Sequence, residues 1–297
     1  MYKKYLPLLL LLLWGCGDVH ETIYLQDVEI NGPINHPPIF VTDNNSGIRI
    51  SPWFSSNSIS QVTGKTNSYL TDSITNFGQN NVRWNIPNVI AGVDIDLPIS
   101  KKVSIFGSFN YSSQNSYEMA GGSFGFGFHS VTNTNAIRFN LGCSIQQYQY
   151  DAYTIIVKTV DPLFGKEYTD TGYFHDINKK SNVNFFGNLT FNTVSENLPI
   201  NFLFSAAFFS QTLLSFTPEN PDKIDYPGGT ATTTDTRGEI STTFISFSPG
   251  IYLNVTPEMR IVVGVNIAKD IGSFSSESGS FSSGLFIMPF AKIDLMF

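Results

Sequence analysis

Residues 137–146, IRFNLGCSIQ, read differently on two faces. Successive side chains of an extended chain point to opposite sides, so Ile137, Phe139, Leu141, Cys143 and Ile145 share one face and Arg138, Asn140, Gly142, Ser144 and Gln146 the other. A helix would scatter both sets around its circumference. The same period of two sets Val103, Ile105, Phe109 and Tyr111 against Ser104, Phe106, Ser108 and Asn110. It sets Phe124, Phe126 and Phe128 against Ser123, Gly125, Gly127 and His129. Segments 48–54, 89–99, 183–192, 200–208, 243–255, 259–268 and 285–297 alternate likewise. Roughly ten strands follow, most of them about as long as a tilted strand needs to be to cross a bilayer.

The polar faces decide what surrounds these strands. They are mostly Ser, Asn, Gly and Thr, whereas a soluble β-sandwich turns a charged face to water. Charged residues make up 14% of the chain, against about 25% in soluble domains. After residues 6–14 no run approaches the roughly twenty apolar residues of a transmembrane helix, so any spanning falls to strands. The formal charge of −7 leaves no basic stripe for phosphates, and nucleic acid is not an expected partner. Two cysteines, Cys16 and Cys143, offer neither a disulfide framework nor a cysteine metal site.

Connections sort by length. Short ones fall at Ser100-Lys101-Lys102, 132–135, 195–199 and Thr256-Pro257-Glu258; longer ones at about 59–80, 115–121, 151–182, 217–238 and 271–283. Residues 154–160 and 168–174 can extend one hairpin above a membrane. This alternation resembles outer-membrane β-barrels, with tight periplasmic turns and long outer loops. The last seven residues, AKIDLMF, are similar to the terminal strand signal of that family, here Ile293, Leu295 and Phe297. The resemblance implies recognition by the barrel-assembly machinery. The expected fold is all-β, an antiparallel transmembrane barrel of about ten strands, range eight to twelve, occupying 47–297. An even count would put both termini in the periplasm.

The N-terminal residues carry a second resemblance. Lys3 and Lys4 precede an apolar run at 6–14, the length of an export-signal core rather than an anchor. Leu13-Trp14-Gly15-Cys16 then resembles the lipobox of bacterial lipoproteins. That implies removal of residues 1–15, lipidation at Cys16 and passage through the lipoprotein-sorting machinery; Gly17, where an inner-membrane protein would carry aspartate, implies the outer membrane. Loss of Lys3 and Lys4 with the signal would take the charge from −7 to about −9. Residues 16–46, with Pro33, Pro37 and Pro38, form a periplasmic linker or a segment tucked into the lumen.

Ten strands lie below the count that leaves an open aqueous channel. The inward charges would be Arg49, Asp94, Asp96, Arg138, Arg260, Lys292 and Asp294, all towards the periplasmic end. Opposite charges in a narrow lumen must pair or change protonation, which reads as an ion-pair plug, the alternative being a constriction for small solutes. Asp94-Ile95-Asp96 and His175-Asp176 invite comparison with omptin proteases, but the aspartates precede a periplasmic turn and His175 lies outside. His129 and Ser130 point to opposite faces and cannot share a proton. The glycines of 121–127 open no helix, so no phosphate loop is read there; they make room for bulky neighbours such as Phe106, Tyr148 or Phe209. Glu219, Asp222 and Asp225 read as a solvated acidic loop rather than a Ca²⁺ site. Pro52, Pro249 and Pro289 interrupt predicted strands, and the first and last strands must pair to close the barrel, so bulges or weak pairing are expected at that seam.

The function expected is non-enzymatic: a structural, surface-binding or adhesion role through the outer loops. Its partners would be outer-membrane lipid and an envelope or extracellular protein, with no metal and no cofactor. A narrow channel for small or hydrophobic solutes is the alternative, and an outer-membrane hydrolase ranks below it.

Overall fold

The computed structural model describes residues 18–43, 47–65, 81–114, 117–161, 166–194, 200–215, 230–236, 239–271, 280–281 and 284–297. The strands in chain order are β1 (Asp18–Asn31), β2 (Arg49–Ser56), β3 (Gln61–Lys65), β4 (Asn81–Asn85), β5 (Val89–Pro98), β6 (Val103–Gln114), β7 (Tyr117–Val131) and β8 (Asn135–Asp161). They continue with β9 (Tyr168–Thr193), β10 (Ile200–Ser215), β11 (Thr230–Thr236), β12 (Glu239–Thr256), β13 (Met259–Asp270), β14 (Ser280–Phe281) and β15 (Leu285–Met296). Ten of them close a ring of antiparallel neighbours, β2-β5-β6-β7-β8-β9-β10-β12-β13-β15 and back to β2. Every strand expected from alternation is a barrel strand. The class of fold is the one the period predicts.

Alternation places the side chains as expected. Phe54, Phe109, Phe124, Phe126, Phe185, Phe202 and Phe208 stand exposed around the outside, Phe185 at 70%. Leaving such side chains in water forfeits about 1.5–3 kcal/mol each, so a belt this continuous belongs in hydrocarbon. Their partners in the pattern, among them Phe106, Asn140, Ser144 and Gln146, are buried inside. A Cβ on Gly125 would come within 2.7 Å of the Phe106 ring, so that glycine does make room for the expected neighbour.

Three features bear on the sequence reading, two of them departures from it. β6 and β7 stay paired up to Gln114 opposite Tyr117, so the expected long connection at 115–121 is a tight hairpin. Gly121, which the expected bounds place in that connection, is a strand residue whose Cβ would meet the Gln146 side chain. Second, β8 and β9 pair far beyond the barrel, with Val160 opposite Tyr168, and so build the hairpin expected from 154–160 and 168–174.

Third, the N-terminal segment does not lie wholly in the periplasm. With the tight turns after β5, β7 and β12 marking the periplasmic end, β1 pairs antiparallel with the outer extension of β8, from Asn31 opposite Gln149 to Asp18 opposite Asp161. Residues 32–43 then descend inside the barrel, and the chain enters β2 at Arg49, opposite Asp96 near the periplasmic end. Strand parity fixes only the barrel's own ends. The luminal segment adds one more crossing, so Asp18 lies on the outer side. β4 and β11 join β1 in parallel, and β3 and β14 extend that outer sheet.

The prolines act as their missing donors require. β15 meets β2 in two short runs, Phe290–Lys292 on Ser55–Trp53 and Leu295–Met296 on Ile50–Arg49, with the gap beside Pro52. The β12–β13 ladder lapses between Phe247 and Gly250, where Pro249 sits. Pairing of β15 with β2 does not reach Pro289, which pairs only on its β13 side. The weak seam expected from sequence is present.

Candidate functional site

The candidate site is the lumen with residues 32–43 threaded through it. Alternate positions aim Asp94 and Asp96 of β5 inward together, and likewise Lys292 and Asp294 of β15. All seven charges expected to face inward are buried there. Arg138 grips Asp96 with both terminal nitrogens, at 2.6 and 2.8 Å, and donates Nε to Asn140 Oδ1 at 2.6 Å. Lys292 Nζ lies 2.8 Å from Asp94 Oδ2 and 3.7 Å from Asp294 Oδ1. Asp94 Oδ1 accepts from Trp53 Nε1 at 2.9 Å and Ser108 Oγ at 2.7 Å. Bidentate, charge-assisted pairs of this kind are the ones that hold geometry in a low-dielectric interior.

The sequence reading missed Asp43. Its carboxylate, on the luminal segment, accepts from both Arg49 and Arg260. The wall contributes four cations and three carboxylates, one positive charge in excess; Asp43 brings the set to neutrality. The segment's backbone is held too. Lys292 Nζ donates to Ile39 O at 2.7 Å, and Arg49 donates to Val41 O. Both Arg138 and Lys292 lie over the Phe40 ring, 4.4 and 4.6 Å from its centre, where a cation meets the negative face of the π system.

From the charge cluster upward, side-chain amides stand in for a strand partner. Asn192 Nδ2 donates to Thr42 O at 2.9 Å while its Oδ1 accepts from Thr42 N at 3.0 Å. Gln211 does the same for Pro33 O, at 2.9 Å, and Asn35 N, at 3.1 Å. Asn188 Nδ2 donates to Pro38 O at 2.9 Å, and His36 Nε2 is 3.0 Å from Ser246 Oγ. A segment buried without a ladder must satisfy every backbone donor. Pro33, Pro37 and Pro38 reduce that demand, because they have none.

The outer mouth is closed by apolar packing. Trp84 of β4, fully buried, sets its ring 6.2 Å from both Phe244 and Phe286 and donates Nε1 to Gly32 O at 2.8 Å. Phe209 stacks on Phe244 at 5.1 Å. Gly32 turns β1 into the lumen against Tyr148; a Cβ there would be 2.1 Å from Cδ1 of that ring. Apolar at the top and ionic at the bottom, the lumen holds the segment along its length.

The remaining candidates separate. His175 pairs with Asp151 at 2.7 Å on the outer hairpin, while Asp94 and Asp96 are held in ion pairs at the opposite end, so an omptin-like arrangement is not assembled. His129 is half-buried and Ser130 exposed, on opposite faces of β7. Ile293 stands outside, Leu295 is half-buried, and Phe297 is exposed beyond the strand, its N–H and C=O paired with Ile48 at 2.9 and 3.1 Å. Cys143 is a free, half-buried thiol. No group of His, Cys, Asp and Glu suited to a metal ion occurs among the described residues. Cys16, the 195–199 turn and the loop bearing Glu219, Asp222 and Asp225 lie outside the described residues.

No protein-family profile and no curated protein sequence matches the chain. Among solved structures it is similar to the outer-membrane protease OmpT of Escherichia coli, at 10% identity over 87% of this chain and 99% of that one, TM-score 0.43. It is also similar to the N-terminal β-barrel domain of Pseudomonas aeruginosa OprF, at 7% identity over 86% and 100%, TM-score 0.32. The translocator domain of the autotransporter NalP of Neisseria meningitidis gives 9% over 86% and 90%, TM-score 0.32. What places the chain is its own geometry. A closed antiparallel ring with an apolar belt outside and a polar interior is how β-proteins span the bacterial outer membrane, and the protein is an outer-membrane β-barrel.

Proposed function

We propose that the protein is a non-enzymatic surface-binding barrel, with a closed lumen that serves to carry its own N-terminal segment out to the cell surface. One observation carries this reading: residues 32–43 fill the lumen and continue as β1 into a sheet built on the outer extension of β8 and β9. A channel gains nothing from a segment bonded to its wall by charge pairs and amide clamps. A display platform gains a folded outer sheet fixed rigidly to the membrane. Sheet and loops together would bind an envelope or extracellular protein partner.

Lipidation at Cys16 belongs to the same proposal and changes its meaning. Cys16 is two residues ahead of Asp18, so acyl chains there would be attached to a surface-side terminus rather than tethering the barrel from the periplasm. Two measurements test the reading. Purified barrel in a planar bilayer should give no stable single-channel steps. An epitope placed just after Cys16 should be reached by antibody on intact cells. Stable steps from the unmodified protein, or an epitope reached only after the outer membrane is broken, would defeat it.

A further inference from the structure

The luminal segment is off-centre. Its hydrogen bonds above the charge cluster run to β8, β9, β10 and β12, through Ser144, Asn188, Gln211 and Ser246. Against β5, β6 and β7 it leaves a cavity of about 70 Å³, edged by Trp53, Asp94, Asn110, Ser123, Gln146 and Phe290. That is room for about five waters or one small solute.

Three oxygens in this cavity are unpartnered: Asn110 Oδ1, Gln146 Oε1 and Ser123 Oγ. Asn110 is 8% exposed and Gln146 not at all. The ladders set Asn110 opposite Gly121 and Gly121 opposite Gln146. A Cβ on Gly121 would fall 2.0 Å from Gln146 Oε1 and 3.0 Å from Asn110 Oδ1, so both amide oxygens converge over the space that glycine leaves. Ser123 lies two residues further along the same inward face. Buried polar atoms without partners cost about 1–3 kcal/mol each, and a wall that keeps two acceptor-only amide oxygens beside a hydroxyl is arranged for something that donates.

The charge of that donor is also set. Asp94 and Lys292 at the cavity edge neutralise each other at 2.8 Å, and Asp94 Oδ1 is already occupied by Trp53 and Ser108. Among the described residues that line it, no unpaired charge faces the space to select an ion. Trp53 and Phe290 supply apolar ring surface on the side of the β2–β15 seam, and a pocket with apolar walls and a few convergent polar atoms is the usual form of a small-molecule site.

We propose that this cavity binds a neutral polyhydroxylated solute about the size of glycerol or a five-carbon polyol. Its hydroxyls donate to Asn110, Gln146 and Ser123, and its C–H surface rests on Trp53 and Phe290. The site goes beyond the display reading and does not depend on it, because the solute binds beside the seated segment and needs no open pore.

Trp53 reports directly. Xylitol and glycerol are titrated into the purified full-length barrel, and tryptophan emission is followed up to about 100 mM, which covers weak millimolar binding. The result expected is a saturable change, lost in Trp53→Phe, with the midpoint weakened at least tenfold in Gln146→Leu and in Gly121→Ala. The gel shift between unheated and boiled samples confirms that each variant is folded, and either of the last two suffices if the other fails to assemble. No saturable change with either polyol means that the cavity holds ordered water only, which overturns the proposal. Saturation by guanidinium but not by xylitol overturns the assigned class. An unchanged midpoint in the folded variants overturns the assigned residues.

Discussion

Replacing Asp43 by Asn tests whether charge holds the luminal segment in place. Asp43 is 10% exposed at its side chain, and its partners Arg49 and Arg260 are 5% and 6% exposed. Removing one member of a buried pair costs about 3–5 kcal/mol, because the survivor is left uncompensated. Here asparagine keeps a hydrogen-bonding oxygen and the periplasmic mouth is near water, so the lower end, about 3 kcal/mol, is the expected cost. At about 1.4 kcal/mol per factor of ten, the equilibrium between seated and released segment shifts roughly a hundredfold. The barrel ladders are untouched, so the cost falls on the segment alone. Amide hydrogen exchange at residues 40–42 should accelerate by about that factor, and single-channel recording should show brief openings absent from the parent protein. Adding Arg260→Gln restores three cations against three carboxylates and should recover part of the protection. Unchanged exchange in Asp43→Asn would refute the electrostatic account, and further loss in the double variant would refute the charge balance behind it.

Other perturbations follow from the same contacts. Arg138→Gln leaves Asp96 buried without its bidentate partner, so the temperature at which the folded gel band converts to the unfolded one should fall by the equivalent of about 3–5 kcal/mol. Arg138→Lys should recover only part, since a single ammonium cannot reproduce the two-pronged grip. Gly32→Val drives a side chain into Tyr148 and should cost about 1–3 kcal/mol, read as faster protease release of β1 while the barrel band persists. Cys16→Ser should abolish labelling by radioactive palmitate yet leave the protein resistant to extraction from membranes at high pH; continued labelling would end the lipidation reading.

The barrel was legible in the sequence because its information is local. Ile137 and Arg138 differ in face whatever the rest of the chain does, and that difference, repeated, sets strand, register and wall. Even the weak seam could be read, since Pro52 lacks a donor in every context. The outer strands β1, β3 and β4 could not. In β1, Val28 and Ile30 are buried and Asp27 and Glu29 half-buried, an alternation only four residues long, and its partner lies 118 or more residues away in β8. Gly121 illustrates the opposite failure. The spacing places it in a connection and its inward face makes room for a bulky neighbour, but the side chain over it is Gln146 on the next strand, a contact that no local rule contains.

The luminal segment was nearer to being legible than β1, through charge rather than period. The inward set on the wall, Arg49, Arg138, Arg260 and Lys292 against Asp94, Asp96 and Asp294, carries one positive charge too many for a closed and partly dry interior. A missing carboxylate therefore had to arrive from outside the barrel strands. It also had to reach the periplasmic end, where the unbalanced arginines are. Asp43 stands six residues before Arg49, which opens β2 at that end, so the chain entering the barrel brings it there whatever path the earlier residues take. The carboxylates further upstream, Asp27 and Glu29, instead meet Arg83 on the outer sheet. A charge balance drawn over the inward face thus identifies the anchor of the luminal segment, and its principle is general: where a barrel wall does not sum to zero, the compensating residue marks the piece of chain that fills it.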